Sequence, residues 1–209
     1  YVIAADDGRI LFRHNQTAHA SFSYRVYAEG NGLPLPGPQG RNAYPHPTGT
    51  PDGYQAPPVA PSLVTLQNAP FSRNDPWLPD GATRTIGNNV EAFADVSEPD
   101  GFGPADPNEC NVALPVAGDT HACTSAGNAF DHVYDTNLAP TANRTQVMAA
   151  VTNLFYVNNY LHDWFYDAGF DEAPGRLLRR HLDLDTEGLQ DVRTAAQARD
   201  RTVAVLGDA

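Results

Sequence analysis

The chain contains no lysine: all 13 of its basic residues are arginine, set against 25 Asp and Glu. Without lysine there can be no phosphate-binding loop of the Gly-x-x-x-x-Gly-Lys type. The net charge of -12 argues against a nucleic-acid surface, which needs clustered cations to meet phosphates. No apolar run approaches the roughly 18 residues that would cross a bilayer, so no membrane partner is expected. Gly-x-Ser-x-Gly and His-Glu-x-x-His are both absent, so neither the serine elbow of many hydrolases nor the two-histidine zinc helix is written here. Only two cysteines occur, Cys110 and Cys123, too few for a four-ligand structural zinc site. The chain starts at Tyr1, with neither Met nor a signal-like segment, and its start reads as the interior of a longer precursor.

What is present divides by composition. "YVIAADDGRILFRHN" is two apolar runs around Asp7-Gly8, a hairpin signal. "ASFSYRVYA" alternates, with Phe22, Tyr24 and Val26 on one face, as a half-buried strand does. Residues 28–61 are dense in Pro and Gly and can form neither a regular helix nor a central strand, so they read as a junction or extended arm. "SLVTLQ" and "NNVEAFADV" have strand character. "EPDGFGPADPNEC" is an acidic loop; calcium could bind there, but it lacks regular oxygen-ligand spacing, and a solvated loop is the simpler reading. In "CNVALPVAGDTHAC" the two cysteines would close a small disulfide loop in a secreted protein, or stay free thiols otherwise.

Residues 141–168 predict one long helix. Pro140 precedes it, Asn143 with Gln146 resembles a capping box, and Gly169 is a plausible stop. Val147, Val151, Leu154, Leu161 and Phe165 make a stripe at helical spacing, while Phe155, Tyr156, Tyr160 and Trp164 spread apolar surface around the rest. A helix apolar nearly all round is expected to be buried. Polar groups inside it need partners. Asn158 and His162 lie one turn apart on one face. Asn159, Asp163 and Asp167 form a second stripe, read as the solvent or loop side. Asn158, His162 and Asp163 are the polar helix positions singled out, in structural rather than catalytic roles. His14, His19, His46, His121, His132 and His181 are scattered and show no ligand constellation; His132, in "FDHVYD", reads as an exposed titratable group. Asn15-Gln16-Thr17 and Asn143-Arg144-Thr145 are glycosylation sequons, relevant only to a eukaryotic secretory route. Residues 176–209 hold six arginines and no aromatic residue, with a possible short amphipathic helix around "LQDVRTAAQARDR".

Three stretches together resemble a known family. "NLFYVNNYLHDWFYDAGFDEAPG" is similar to a helix of the fungalysin family of secreted zinc metalloendopeptidases. "TIGNNVEAFAD" is similar to a segment early in that family's catalytic domain, and "YVIAADDGRILFRHNQTAHASFSYRVYAEG" to the end of its propeptide and the junction that follows. They occur in the family's order and cover roughly residues 1–175.

The resemblance implies a secreted precursor whose propeptide inhibits and assists folding of a thermolysin-like enzyme. It implies zinc held by two histidines of His-Glu-x-x-His and a downstream Glu, with the motif Glu as general base, acting on protein or peptide substrates. These 209 residues carry none of those ligands, so no catalytic or metal residue is carried over and no cofactor is expected on this chain. The expected architecture is α+β: short antiparallel strands and long Pro/Gly-rich loops, then one long buried helix, as part of a thermolysin-like metallopeptidase domain. Its expected parts are propeptide strands at 1–27, a junction at 28–61 holding the maturation cut between Tyr27 and Pro61, peptidase domain at 62–175, and an unmatched Arg-rich tail at 176–209. The expected partner of the aromatic helix is the remainder of the catalytic domain. The rival reading is a secreted, disulfide-stapled binding or structural module without catalysis.

Overall fold

The computed structural model describes residues 2–3, 6, 10–12, 19–42, 56–72, 76–168 and 202–206, with the segments 2–3, 10–12 and 202–206 described by backbone alone. The architecture is α+β, with short strands and one long helix. β1 (Val2–Ile3) and β2 (Ile10–Phe12) pair antiparallel, as the hairpin signal predicts, while Asp7 and Gly8 themselves lie outside the described residues. β3 (Phe22–Val26), β4 (Ser62–Leu66), β5 (Val90–Ala94), β6 (Thr120–His121) and β7 (Ala129–Phe130) follow, then helix α1 (Arg144–Asp167) and β8 (Thr202–Leu206). Two three-stranded sheets result, in the orders β4-β3-β7 and β6-β5-β8. Helix α1 lies over β3, β5 and β8.

The alternation in β3 does what period-two patterning demands: Phe22, Tyr24 and Val26 are buried and Ser23 and Arg25 are half-buried. Tyr24 is the hub of the core. Its ring stacks on Phe130 at 5.7 Å and meets Trp77 at 5.9 Å and Tyr156 at 5.7 Å. Trp77 and Tyr156 meet edge to face at 5.1 Å, a favoured aromatic geometry. One buried cluster therefore joins β3, Val64 of β4, the Trp77 segment, β5 and the first half of α1. A boundary at residue 27 is thus not a packing boundary. β3 is the central strand of its sheet, paired over its full length with β4, so residues 22–26 belong to the same packed unit as the helix.

The Gly87-Asn88-Asn89-Val90 stretch has a steric reason for its glycine. A Cβ on Gly87 would fall on the carbonyl oxygens of Trp77 and of Val90, the latter at 2.8 Å. Only hydrogen fits there. Asn88 then ties this turn to the Trp77 segment, its backbone N–H donating to Trp77 O at 2.8 Å and its side chain to Pro76 O at 2.6 Å.

α1 starts as its sequence predicts. Asn143 is extended and its side chain accepts from Gln146 N at 3.1 Å. The reciprocal arm of a capping box is not closed, because the Gln146 amide instead clasps both backbone groups of Asp135. Asn143→Ala is expected to cost about 1 kcal/mol of stability, read as a lowered denaturant midpoint with unchanged slope; a change under a few tenths would remove the cap from the account. The expected stop at Gly169 and the helix around "LQDVRTAAQARDR" lie outside the described residues, as do residues 43–55 of the 28–61 junction.

The helix is not buried all round. Val147, Met148, Val151, Phe155 and Tyr156 are enclosed by the chain's own strands, whereas Leu161, Trp164 and Phe165 are 44%, 53% and 44% exposed. At 3.6 residues per turn, Val147 and Asp163 stand about 160° apart around the axis. The covered face therefore rotates along the helix. The two sheets cover its first half; Ala69, Phe71 and Trp77 meet its later turns at Asp163 and Tyr160. Beta-strand β8 was not anticipated: it pairs in parallel with β5, Val90 opposite Thr202 through Ala94 opposite Leu206.

Candidate functional site

The polar positions of α1 have structural partners, but not the ones their stripes suggest. Asp163 is fully buried. One of its carboxylate oxygens accepts from the Trp77 indole N–H at 2.8 Å and from Ala69 N at 2.9 Å. This clamp seats the Ala69–Trp77 segment on the helix and places Trp77 in the core. Asn159, one turn earlier, is also fully buried and donates back to Phe155 O at 2.9 Å. The stripe read as solvent-facing is therefore the buried one, except for exposed Asp167. Asn158 and His162 are only half-buried; Asn158 donates to Leu154 O, and His162 stacks on Tyr166 at 5.8 Å. The polar run in the aromatic helix thus joins a core-facing carboxylate to a histidine at the rim. Helical periodicity could not tell the two stripes apart, since what buries Asp163 is a loop some ninety residues earlier in the chain.

Cys110 and Cys123 form a disulfide, which closes the loop between them. Around it lies a constellation that scattered histidines and an acidic loop did not suggest. His121, on β6, is buried, and both its ring nitrogens face carboxylates: Nδ1 lies 3.3 Å from Glu109 Oε2 and Nε2 lies 3.1 Å from Glu91 Oε1 on β5. Its backbone N–H also donates to Glu109. Glu109 in turn pairs with the Arg84 guanidinium. Burial alone would push the Glu109 carboxyl up, but His121 and Arg84 outweigh it and hold it down at about 2. For His121, burial disfavours the charged ring, yet Glu109 and Glu91 prevail and raise its affinity for the proton.

A second buried charge pair sits behind the first. Arg144, the first residue of α1, and Asp106 both have fully buried side chains and meet at 2.6 Å. Arg144 also donates to the carbonyls of Leu114, Glu109 and Pro115. Asp106 accepts from the backbone N–H groups of Asn108 and Ala117. Asp119 is saturated by the amides of Val96, Ser97 and Gly103. The acidic loop is therefore not simply solvated. Asp106 and Glu109 are buried and bound, while Glu98 and Asp100 remain at the surface. His132 is likewise buried, with Nε2 2.7 Å from Cys123 O, rather than exposed. His19 lies near Asp80 at the surface; His14, His46 and His181 lie outside the described residues.

None of this makes a metal centre. Among the described residues, the potential ligand atoms that converge belong to Glu109, Cys110 and Cys123, and both sulfurs are spent in the disulfide. Glu91 and Glu109 approach His121 from opposite ring nitrogens, so they cannot converge with it on one ion. A pocket of about 450 Å³ opens beside Arg84 and residues 106–111, and its two oppositely charged walls, Arg84 and Glu109, are paired with each other. No helix of the described residues is long and apolar enough to cross a membrane.

Comparison with known proteins bears on the whole rather than on these clusters. The sequence model of the family described as Fungalysin metallopeptidase (M36) matches residues 43–205, a span that reaches into the Arg-rich tail and takes in most of β8. "Extracellular metalloproteinase 1" of Arthroderma otae is 29% identical over 178 residues, covering 84% of this chain and 22% of that protein. "Extracellular metalloproteinase 5" of Arthroderma otae is 32% identical over 117 residues, 53% of this chain and 15% of its own. A protein of the same name from Trichophyton tonsurans is 28% identical over 113 residues, again 53% of this chain and 15% of its own. The chain thus spans about a fifth or less of the length of these curated relatives. No solved structure matches.

Proposed function

The chain belongs to the fungalysin metallopeptidase family, and from that premise we propose that it is the N-terminal part of the catalytic domain of a secreted zinc metalloendopeptidase precursor, with the end of a propeptide ahead of it. The observation that carries this reading is the family match across residues 43–205, three-quarters of the chain. The names of its relatives, extracellular metalloproteinases, support an extracellular site of action and protein or peptide substrates for the complete enzyme. A thermolysin-like layout is part of the same proposal. We place the end of the propeptide-like part before Phe22, ahead of the expected boundary at residue 27, because β3 packs with the helix, and, because the family match runs over 43–205, we place residues 43–61 and most of the Arg-rich tail with the peptidase part.

Zinc chemistry enters this family through His-Glu-x-x-His, and the residues here do not fit the metal. The motif is missing from the 209 residues, and of the converging side chains described above both sulfurs are in the disulfide and the one carboxylate, Glu109, is engaged by Arg84 and His121. No step of peptide hydrolysis is therefore assigned to these side chains. Their role in the enzyme would be architectural: to build the sheets and helix against which the zinc-bearing part docks. The bare end of α1, with Leu161, Trp164 and Phe165 exposed together, supplies an apolar surface suited to that docking.

A polypeptide of these 209 residues, purified and supplied with zinc, is expected to show no chelator-sensitive cleavage of an unstructured protein such as casein. Chelator-sensitive turnover that survives repurification and is lost on removing zinc would overturn the assignment of an architectural role.

A further inference from the structure

We propose that His121 is a proton-operated clamp: as an imidazolium it fastens the β6 end of the Cys110–Cys123 loop to β5, and loss of the proton loosens that junction. The proposal is independent of the family reading. It starts from donor and acceptor counting. An ionised carboxylate can only accept, and a neutral imidazole carries one N–H. His121 presents both ring nitrogens to carboxylates, at 3.3 Å and 3.1 Å, so both contacts are hydrogen bonds only when the ring is doubly protonated. With the proton gone, one bare nitrogen lone pair faces a carboxylate oxygen inside the fold. Unsatisfied buried acceptors are costly, and the cluster must open or rehydrate.

The groups around the ring define what opens. Glu91 comes from β5; Glu109 comes from the loop ahead of Cys110 and is itself held by Arg84. Phe102 lies with its ring centre 4.3 Å from that of His121, and Phe93 at 6.0 Å, where aromatic faces favour a cation. The nearby charges are spoken for: Asp119 by three backbone amides, Asp106 by Arg144. With one ring N–H left, either the Glu109 or the Glu91 contact loses its hydrogen, and the loss falls at His121, on the β5–β6 junction. That junction is short. β6 has two residues, paired as Phe93 with His121 and Ala94 with Thr120. Arg144, Asp106 and Asp119 hold the rest of the loop whatever the state of the ring, so opening is local and reversible.

The direction with pH follows from linkage. The folded ring holds its proton more tightly than the unfolded one, so the stabilisation is fully present below the ordinary imidazole range, about 6.5, and is lost as pH rises through the higher folded value. The clamp is closed in acid and open in alkali.

The test uses the isotopically labelled 209-residue polypeptide between pH 5.5 and 9. The His121 ring is followed by its nitrogen shifts. Opening is followed by hydrogen exchange at the His121 backbone N–H, corrected for intrinsic base catalysis. The expected result is a ring that titrates above about 6.5, with protection at that amide falling by up to about tenfold per pH unit between about 6.5 and the ring midpoint and levelling off above it. In His121→Gln, protection is expected to be low and independent of pH. Should that variant not fold, Glu91→Gln replaces it: removing one carboxylate should lower the ring midpoint and shift release toward acid. A ring that titrates at or below about 6.5, or amide protection unchanged across the ring's titration, would overturn the proposal.

Discussion

Arg144→Ala is expected to destabilise the protein by about 4 kcal/mol, the largest single effect in the molecule. Removing one member of a buried ion pair costs about 3–5 kcal/mol, because the other charge is left uncompensated in the interior. Here the abandoned partner is Asp106, whose side chain has no exposed surface, together with the carbonyls of Leu114, Glu109 and Pro115. A competing effect has the opposite sign. A cation in the first turn of a helix opposes the macrodipole, and removing it should gain about 0.3–1 kcal/mol. The pair wins by several-fold. Arg144→Lys should recover less than half of the loss, since an ammonium cannot reproduce four bonds fanned out from a planar guanidinium. Asp106→Asn combined with Arg144→Met should cost less than Arg144→Ala, because it removes both charges at once. Urea midpoints at constant slope decide the matter. A loss below about 1.5 kcal/mol for Arg144→Ala would mean that water reaches Asp106 and that the pair is not the anchor described.

Asp163→Ala is expected to cost nearly as much by another route. The substitution leaves the Trp77 indole N–H and the Ala69 backbone N–H without an acceptor, inside a packed region. Each orphaned buried donor costs about 1–3 kcal/mol, so the sum is about 4 kcal/mol. Asp163→Asn keeps an oxygen for those donors and should cost about half as much. The specific signature is local. Exchange of the Trp77 indole proton should accelerate by at least two orders of magnitude in Asp163→Ala, ahead of global unfolding. If that proton remains as protected as in the parent protein, the clamp between helix and loop is not what holds Trp77 in place.

Both residues show where the sequence could be read and where it could not. The β1–β2 hairpin, β3, β4 and β5 were legible, because each is written in a few adjacent residues: Asp7-Gly8 between apolar runs, or the alternation of Phe22, Tyr24 and Val26. The helix start was legible from Asn143 for the same reason. Its buried faces were not. A run rich in Leu, Phe, Tyr and Trp has too little contrast for periodicity to choose a face, and the cover changes side along its length. Arg144, Asp106, Glu109 and His121 all look like surface residues in isolation. Each is buried by partners twelve to thirty-eight positions away, which no local window contains. The disulfide was legible as one of two options, because spacing allows the bond but does not compel it. β8 was missed because a parallel strand needs no turn beside its partner and leaves no local mark. The family's zinc motif is a sequence signal in its own right, and its absence from these residues was plain from the start.

The parallel pairing of β5 with β8 also bears on how the protein is made. β5 must wait for a partner more than a hundred residues further along the chain. At ribosomal speeds of about 5–20 residues per second, one side of that strand stays bare for several seconds after it emerges. Closing so long a loop is entropically slow, so the hydrogen-bonding groups of Val90–Ala94 are open to the wrong neighbour throughout that interval. Synthesis in crowded conditions therefore favours aggregation of nascent chains through this strand, and slower expression or an excess of chaperone should raise the yield of folded protein.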